Sequence, residues 1–242
     1  MSASVLVGNR HVSVTDVALV CTAVPGGRAY AQVTLEPGAL DALTKASGEL
    51  CSAAGMAPTP TASSSTGASG SADLMPAALA RAAVLARLVH ALQGRSGLRP
   101  SLVQFFADCL NADVRFELPA SDPAGIGAYF LAAARGGSQL PPALATELSA
   151  KGVAHRASGQ EPLKLTNAEV GALQLGSAGL ALAGGAALVL GGALEASGVA
   201  DAVAVLSCAG AKGGVPLDLW AIDGERAGNV PLLCALSVCL LL

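Results

Sequence analysis

The sequence predicts a mainly α-helical protein with a small α+β portion at its N-terminus, and three observations favour this class. Hydrophobic residues make up 52% of the 242 residues but aromatic residues only 3%, so the predicted core consists mostly of Ala, Leu and Val. Alanine suits closely packed helices because its side chain is small and loses no rotamer freedom. Leu79, Leu85, Leu88 and Leu92 recur at roughly helical spacing. Residues 170–194 contain no charged side chain, which is typical of a buried bundle helix.

The α+β portion is assigned to residues 1–52. A hydroxyl side chain before an acidic residue is a helix-capping signal, and proline is well tolerated in the first helical turn. The predicted elements are a strand at 5–7, a helix from about Asp16 capped by Ser13 or Thr15, a strand at 32–35, and a helix from Pro37 through Leu50.

Residues 53–72 differ from their surroundings. They are small, polar and proline-rich, and they cannot bury enough apolar surface to become ordered. We therefore predict a flexible linker between the N-terminal portion and a helical core that comprises residues 73–242.

The helical core is predicted from its prolines, glycines and leucine spacing. In the first helix, Arg81 and Arg87 are expected on the outer face. The predicted segments are a helix from Pro76 to Gly94, a helix from Pro100 to Leu110, a loop at 118–127, a helix at 128–135, a helix from Pro141 to Gly152, a helix at 168–196 capped by Thr166 or Asn167 and interrupted near Gly184 and Gly185, and a helix at 199–209.

Charge and cysteine spacing exclude several function classes. The net charge of −3 includes no basic stripe, so a nucleic-acid partner is not expected. The six cysteines form no Cys-x-x-Cys pair and are predicted to be buried reduced thiols. The histidines His11, His90 and His155 lack carboxylates or cysteines at metal-ligand spacing, so no metal site is expected.

The location of the protein is predicted to be cytoplasmic, because the first apolar run is too short for a signal peptide. Residues 170–194 are long enough to cross a bilayer, which keeps a small membrane-associated protein as an alternative. Their many glycines suit tight helix packing better than a lipid-facing surface, so membrane association is the less favoured interpretation.

Two segments in fixed order carry the strongest functional signal. The first is Arg87-Leu-Val-His-Ala-Leu-Gln-Gly-Arg-Ser-Gly-Leu-Arg-Pro100, which continues to Leu110-Asn111. The second is Glu161-Pro-Leu-Lys-Leu165, followed by Glu169 and by Leu173-Gln-Leu-Gly176. Together they resemble the histidine and aromatic amino-acid ammonia-lyase family, with its R-x-N-x-L-x-x-G-x-S-G-x-R-P run and its later E-P-L-x-L-x-x-x-E-G-x-A-L-x-N-G-T. The resemblance implies an ammonia-lyase-like helical bundle, shortened relative to the family.

The same resemblance identifies the positions at which catalysis would take place. The family forms a methylidene-imidazolone electrophile from an Ala-Ser-Gly triplet, whose serine hydroxyl is eliminated. An ungapped reading from Leu118-Pro119 places Ile126, Gly127 and Ala128 at that triplet, and Gly127 has no hydroxyl. Leu175 stands where the family has a catalytic asparagine. The resemblance therefore implies no catalytic residues and no imidazolone in this chain.

Four actual Ala-Ser-Gly triplets leave an active enzyme open as the rival hypothesis. They begin at Ala46, Ala68, Ala157 and Ala196, and such triplets are expected by chance in a chain this rich in Ala, Ser and Gly. The leading hypothesis is a degenerate lyase-like protein that acts as a structural or regulatory subunit. Because the family forms tetramers through long central helices, a protein partner or a homo-oligomer is expected.

Overall fold

The computed structural model describes residues 4–8, 12–22, 30–53, 73–154, 160–174 and 176–210. Their fold is mainly helical, as predicted. The elements are β1 (Ser4–Val7), α1 (Val14–Cys21), β2 (Gln32–Leu35), α2 (Pro37–Ala53), α3 (Ala77–His90), a π-helical turn (Ala91–Arg95), α4 (Pro100–Asn111), α5 (Pro123–Arg135), a 3-10 turn (Gly137–Gln139), α6 (Pro142–Lys151), α7 (Asn167–Gln174) and α8 (Ser177–Gly210). The chain divides into two compact units, Met1–Val189 and Leu190–Leu242.

The N-terminal portion contains the predicted pair of strands. β1 and β2 pair in parallel, with Val5 opposite Val33. The side chain of Asn111 completes the pairing of β2, because its oxygen accepts from the Val33 amide at 2.6 Å and its nitrogen donates to the Val33 carbonyl at 2.9 Å. The helix core thereby satisfies backbone groups of this short sheet.

Local sequence signals account for several helix ends. Ser13 caps α1 in a reciprocal capping box with Asp16, as the sequence indicated. Pro100 occupies the first turn of α4, and Gly152 adopts the left-handed conformation that ends α6, with φ of 68°. α1 begins at Val14, two residues before the predicted start near Asp16, because Ser13 is the residue that caps it.

The core of the larger unit is built where α3, α4 and α5 pack together. Leu85, Leu88, Phe106 and Phe130 are fully buried there. The Phe106 and Phe130 rings meet edge to face, with centroids 5.8 Å apart. Most of the remaining core side chains are Ala, Leu and Val, which confirms the expectation from composition.

The prediction that Arg81 and Arg87 lie on the outer face of α3 is wrong. Their exposed fractions are 3% and 1%. Arg81 donates to the carbonyls of Val20 and Leu110 and to Asp113, the last at 2.9 Å. Helix α3 is therefore covered on more than one side. Its two arginines can be buried because backbone carbonyls of neighbouring elements accept hydrogen bonds from their guanidinium groups.

The predicted boundaries of two other helices also need correction. α5 begins at Pro123 instead of residue 128, because Asp122 caps it by accepting from the Ala124 amide at 3.0 Å. No interruption occurs at Gly184 and Gly185, where α8 is continuous. The described break comes earlier, at Gly176, whose φ of 71° is left-handed. The segment predicted as a separate helix at 199–209 belongs to α8.

The three-part division of the chain stays a prediction. The proposed linker lies almost entirely outside the described residues, which resume at Asp73. Cys21 and Cys109 are buried free thiols, as predicted for the cysteines. The other four cysteine side chains lie outside the described part of the chain.

Candidate functional site

The predicted triplet position lies inside a regular helix. Ile126, Gly127 and Ala128 occupy the first turns of α5. The Ile126 amide donates to the Asp122 carbonyl at 3.2 Å, four residues back, as an α-helix requires. Ile126 and Gly127 are buried, whereas Ala128 is exposed. These three residues are thus part of a regular α-helix, and Gly127 faces the protein interior.

Gly127 packs tightly against the junction of α7 and α8. A β-carbon placed on Gly127 would lie 3.1 Å from the carbonyl oxygen of Gln174 and 3.4 Å from Oγ of Ser177. These two residues flank Leu175, which itself lies outside the described residues. Gly127 therefore lies against residues that follow it by 47 and 50 positions in the chain.

Arg87 completes this junction, a role that the leucine spacing of α3 does not indicate. Its guanidinium donates to the carbonyls of Ala172 and Leu173 and to Oγ of Ser177. The guanidinium carbon lies 5.4 Å from the centre of the Phe130 ring, within cation–π range. The available signal was that Arg87 opens the first quoted motif, although the leucine spacing suggested a solvated face.

The electrostatics at Arg87 suit a helix end. Burial lowers the pKa of Arg87 to about 10, so the side chain remains charged at neutral pH. A cation at the C-terminal carbonyls of α7 is favoured by the helix dipole. Arg87 therefore joins α3 to the α7–α8 junction, with Phe130 of α5 beside it.

A second cluster joins the two quoted motifs directly. Arg99 donates to both carboxylate oxygens of Glu169, through Nε at 2.5 Å and through a terminal nitrogen at 2.6 Å. Glu169 is fully buried, and it also accepts from the Thr166 amide at 2.8 Å. The Thr166 hydroxyl in turn accepts from the Glu169 amide, so Thr166 caps α7 as predicted.

The charge of Glu169 is stabilised by this cluster. Burial alone would raise the pKa of Glu169, but hydrogen bonds from Arg99 and Thr166 and the charge of Arg99 together hold it below its usual range. The bidentate geometry fixes α7 against the start of α4. The most specific residues of the two motifs thus form a structural clamp.

The thiols in this part of the chain are poor nucleophiles. Burial raises the pKa of Cys21 to about 12, and it raises the pKa of Cys109 further. Among the described residues no group of three or more His, Cys, Asp and Glu side chains could hold a metal ion. His11 and His155 lie outside the described residues.

The remaining motif residues form a turn. The Ser96 hydroxyl donates to the Ala91 carbonyl at 3.1 Å and thereby closes the π-helical turn. The side chain of Arg95 lies outside the described part. His90 lies at the end of α3 and lines a cavity that is described below.

Two of the four Ala-Ser-Gly triplets can be placed, and both lie in regular helices. The Ser47 hydroxyl, in α2, donates to the Thr44 carbonyl at 3.1 Å. Ser197 is exposed on α8. The triplets that begin at Ala68 and Ala157 lie outside the described residues.

Comparison with known proteins places the fold. The chain is similar to a tyrosine aminomutase from Streptomyces globisporus, with a TM-score of 0.61 and 21% identity over 86% of this chain and 43% of that one. It is also similar to a phenylalanine aminomutase from Pantoea agglomerans, with a TM-score of 0.54 and 18% identity over 78% of this chain and 40% of that one. No protein-family model and no curated protein sequence matches. The chain thus spans less than half the length of these solved structures, and it has their mainly α-helical, ammonia-lyase-like fold.

Proposed function

We propose that this chain is a catalytically inactive, ammonia-lyase-like protein that acts by associating with other protein subunits. The observation that carries the proposal is the packing of Gly127. A residue without a hydroxyl cannot supply the leaving group for an imidazolone, and a β-carbon at this position would lie 3.1 Å from the Gln174 carbonyl oxygen. Residues 126–128 therefore do not fit the methylidene-imidazolone.

The surroundings of Gly127 support the same proposal. Ser177, which packs against Gly127, accepts from the guanidinium of Arg87, and the carbonyls of Ala172 and Leu173 accept from the same group. A cation at this position offers no base to remove a proton from a substrate carbon. Two interactions stabilise the helical framework, namely the clamp between Arg99 and Glu169 and the packing of Arg87. Neither interaction requires a catalytic group.

An assay of the purified chain tests the inactivity. Incubation with L-phenylalanine, L-tyrosine or L-histidine is expected to release no ammonia above a buffer control and to give no absorbance from an unsaturated product. The rival hypothesis, an active lyase built on one of the actual triplets, predicts ammonia release from at least one of these substrates. Reproducible release by the isolated chain would contradict our proposal.

The exposed surface of α8 supports the proposed association. In the second unit, its large apolar side chains Leu190, Leu194 and Val199 are 57%, 58% and 64% exposed. Large apolar side chains that are exposed in number along one helix are typical of a surface that another protein covers. We propose a second copy of this chain as the partner, because self-association of this helix would cover the surface on both copies.

Replacing both Leu190 and Leu194 with glutamate is expected to convert the assembly into monomers, because two carboxylates would lose hydration at a helix–helix contact. Native mass spectrometry at several protein concentrations measures the change. The control is Leu74→Glu, which introduces the same charge at a residue that is 48% exposed and lies outside α8. A wild-type chain that is monomeric at all concentrations would contradict the association.

A membrane-associated protein is the second candidate function, and one observation favours it. Ser177–Ala204 is long and apolar enough to cross a bilayer, with a mean hydropathy of 1.7. Glu195 and Asp201 lie within this segment, and carboxylates are costly inside a bilayer. Flotation with phosphatidylcholine vesicles that resists carbonate extraction would support this candidate over self-association in solution.

A further inference from the structure

A cavity of about 240 Å³ that is partly open to solvent lies in the larger unit, against α3, the first three turns of α8, and Val12 and Val17 at α1. Its walls include small residues, namely Ala82 and Ala86 on α3 and Ala183 and Gly184 on α8. The helices approach closely beside it, since a β-carbon on Gly184 would lie 2.4 Å from the Ala82 carbonyl oxygen. The cavity therefore exists because short side chains leave space next to a tight helix crossing.

The lining combines an apolar wall with two polar side chains. Val12, Val17 and Leu85 contribute apolar surface, while His90 and Gln93 are spaced three residues apart on the α3 side. Such a combination, a mostly apolar concavity with few polar groups, is typical of small-molecule sites. Since a water molecule occupies about 30 Å³ of liquid, the space corresponds to about eight water molecules, which is enough for an organic molecule of about eight non-hydrogen atoms because bonded atoms need less room than separate waters.

The charge of the cavity restricts what it can bind. None of its described lining residues carries a carboxylate, ammonium or guanidinium group. Burial, and then the charge of Arg87, lower the pKa of His90 below 6.5, so its imidazole is neutral at pH 7. An amino acid would find no opposite charge on these lining side chains for its ammonium group or its carboxylate.

We propose that this cavity binds a small uncharged molecule with an apolar ring or branched body and one hydroxyl or amide group. The body would lie against the valines, the leucine and the alanines, and the polar group would pair with His90 or Gln93. This site is separate from the Gly127 junction, and the proposal does not depend on whether the chain has lyase activity.

Benzyl alcohol is a suitable probe because it has eight non-hydrogen atoms, and saturation-transfer NMR with the full-length chain detects weak binding. We expect saturable binding of benzyl alcohol and about tenfold weaker binding of benzylamine, which has the same shape but carries a charge. Toluene, which lacks the hydroxyl, is expected to bind about fivefold more weakly because a hydrogen bond contributes about 1 kcal/mol.

Two variants locate the binding. Ala183→Leu fills the cavity from the exposed side of α8 and is expected to weaken benzyl alcohol binding about tenfold. Ala186→Leu adds the same side chain on the same helix at an exposed position outside the lining, and it is expected to bind like the wild type. Absence of saturable binding, equal binding by Ala183→Leu, or equal binding of benzylamine would overturn the proposal.

Discussion

Replacing Arg99 with methionine is expected to lower the free energy of unfolding by about 3 kcal/mol, because it leaves the Glu169 carboxylate buried without its cation. Glu169 is fully buried, whereas the Arg99 side chain is 31% exposed. The expected loss of stability therefore lies at the lower end of the range for breaking a buried ion pair. Methionine keeps much of the length and apolar packing of the arginine stem. Urea unfolding followed by circular dichroism measures the change.

The pH dependence provides an independent test of this clamp. Because the folded state holds the pKa of Glu169 below its value of about 4.5 in the unfolded chain, the stabilisation is complete above pH 4.5. It is lost as the pH falls through the lowered folded value, since the unfolded state then binds more protons. Glu169→Gln should therefore have a flatter stability profile below pH 5 than the wild type.

The control for the clamp is the ion pair between Lys164 and Glu161. Its charged atoms lie 3.7 Å apart, and each of the two side chains is more than 70% exposed. Lys164→Met is expected to change stability by less than about 0.5 kcal/mol because solvent screens this pair. Equal losses for Arg99→Met and Lys164→Met would show that the clamp contributes no more than a surface contact.

Replacing Gly184 with alanine is expected to destabilise the fold by about 2 kcal/mol through overpacking. The new β-carbon would lie 2.4 Å from the Ala82 carbonyl oxygen and 2.6 Å from its carbonyl carbon. Both atoms belong to the backbone of α3, so relief of the clash requires α3 and this part of α8 to separate. Thermal and urea unfolding of the variant measure the loss.

Gly185 offers a matched control one residue along the same helix. A β-carbon there would meet Cδ2 of Leu79 at 3.5 Å, an ordinary contact. Because alanine favours a helix more than glycine does, Gly185→Ala is expected to be neutral or to stabilise by about 0.5–1 kcal/mol. A loss for Gly185→Ala as large as that for Gly184→Ala would contradict the close crossing of α3 and α8.

Much of the fold could be predicted from local signals. Ser13, Pro37, Pro100, Pro142 and Gly152 each act within one turn of their own helix, so the sequence alone located those boundaries. The start of α5 differs from the prediction. Residues 118–127 contain two prolines and two glycines, which indicate a loop, but Asp122 caps a helix that begins at Pro123. A cap followed by proline at the first helical position is a start signal that the loop interpretation overlooked.

The interior of the site could not be predicted in the same way. Leucine spacing describes one face of α3, but Arg87 is buried by Ala172, Leu173 and Ser177, which follow about 85–90 residues later. Periodicity carries no information on which distant segment will cover a second face. The motif resemblance singled out Gly127, which packs against Gln174 at the end of α7. It did not reveal that Arg87 would hold this junction.

The intact mass of the denatured chain, isolated from its own source, tests the central claim most directly. Formation of a methylidene-imidazolone from any triplet removes two water molecules from the chain and therefore lowers its mass. We predict a mass that shows no loss of two waters relative to the amino-acid sequence of the isolated chain, because Gly127 has no hydroxyl to eliminate and the placed Ser47 and Ser197 lie in regular helices. A mass lower by two waters would contradict this account and establish that the chain forms the electrophile of an active lyase.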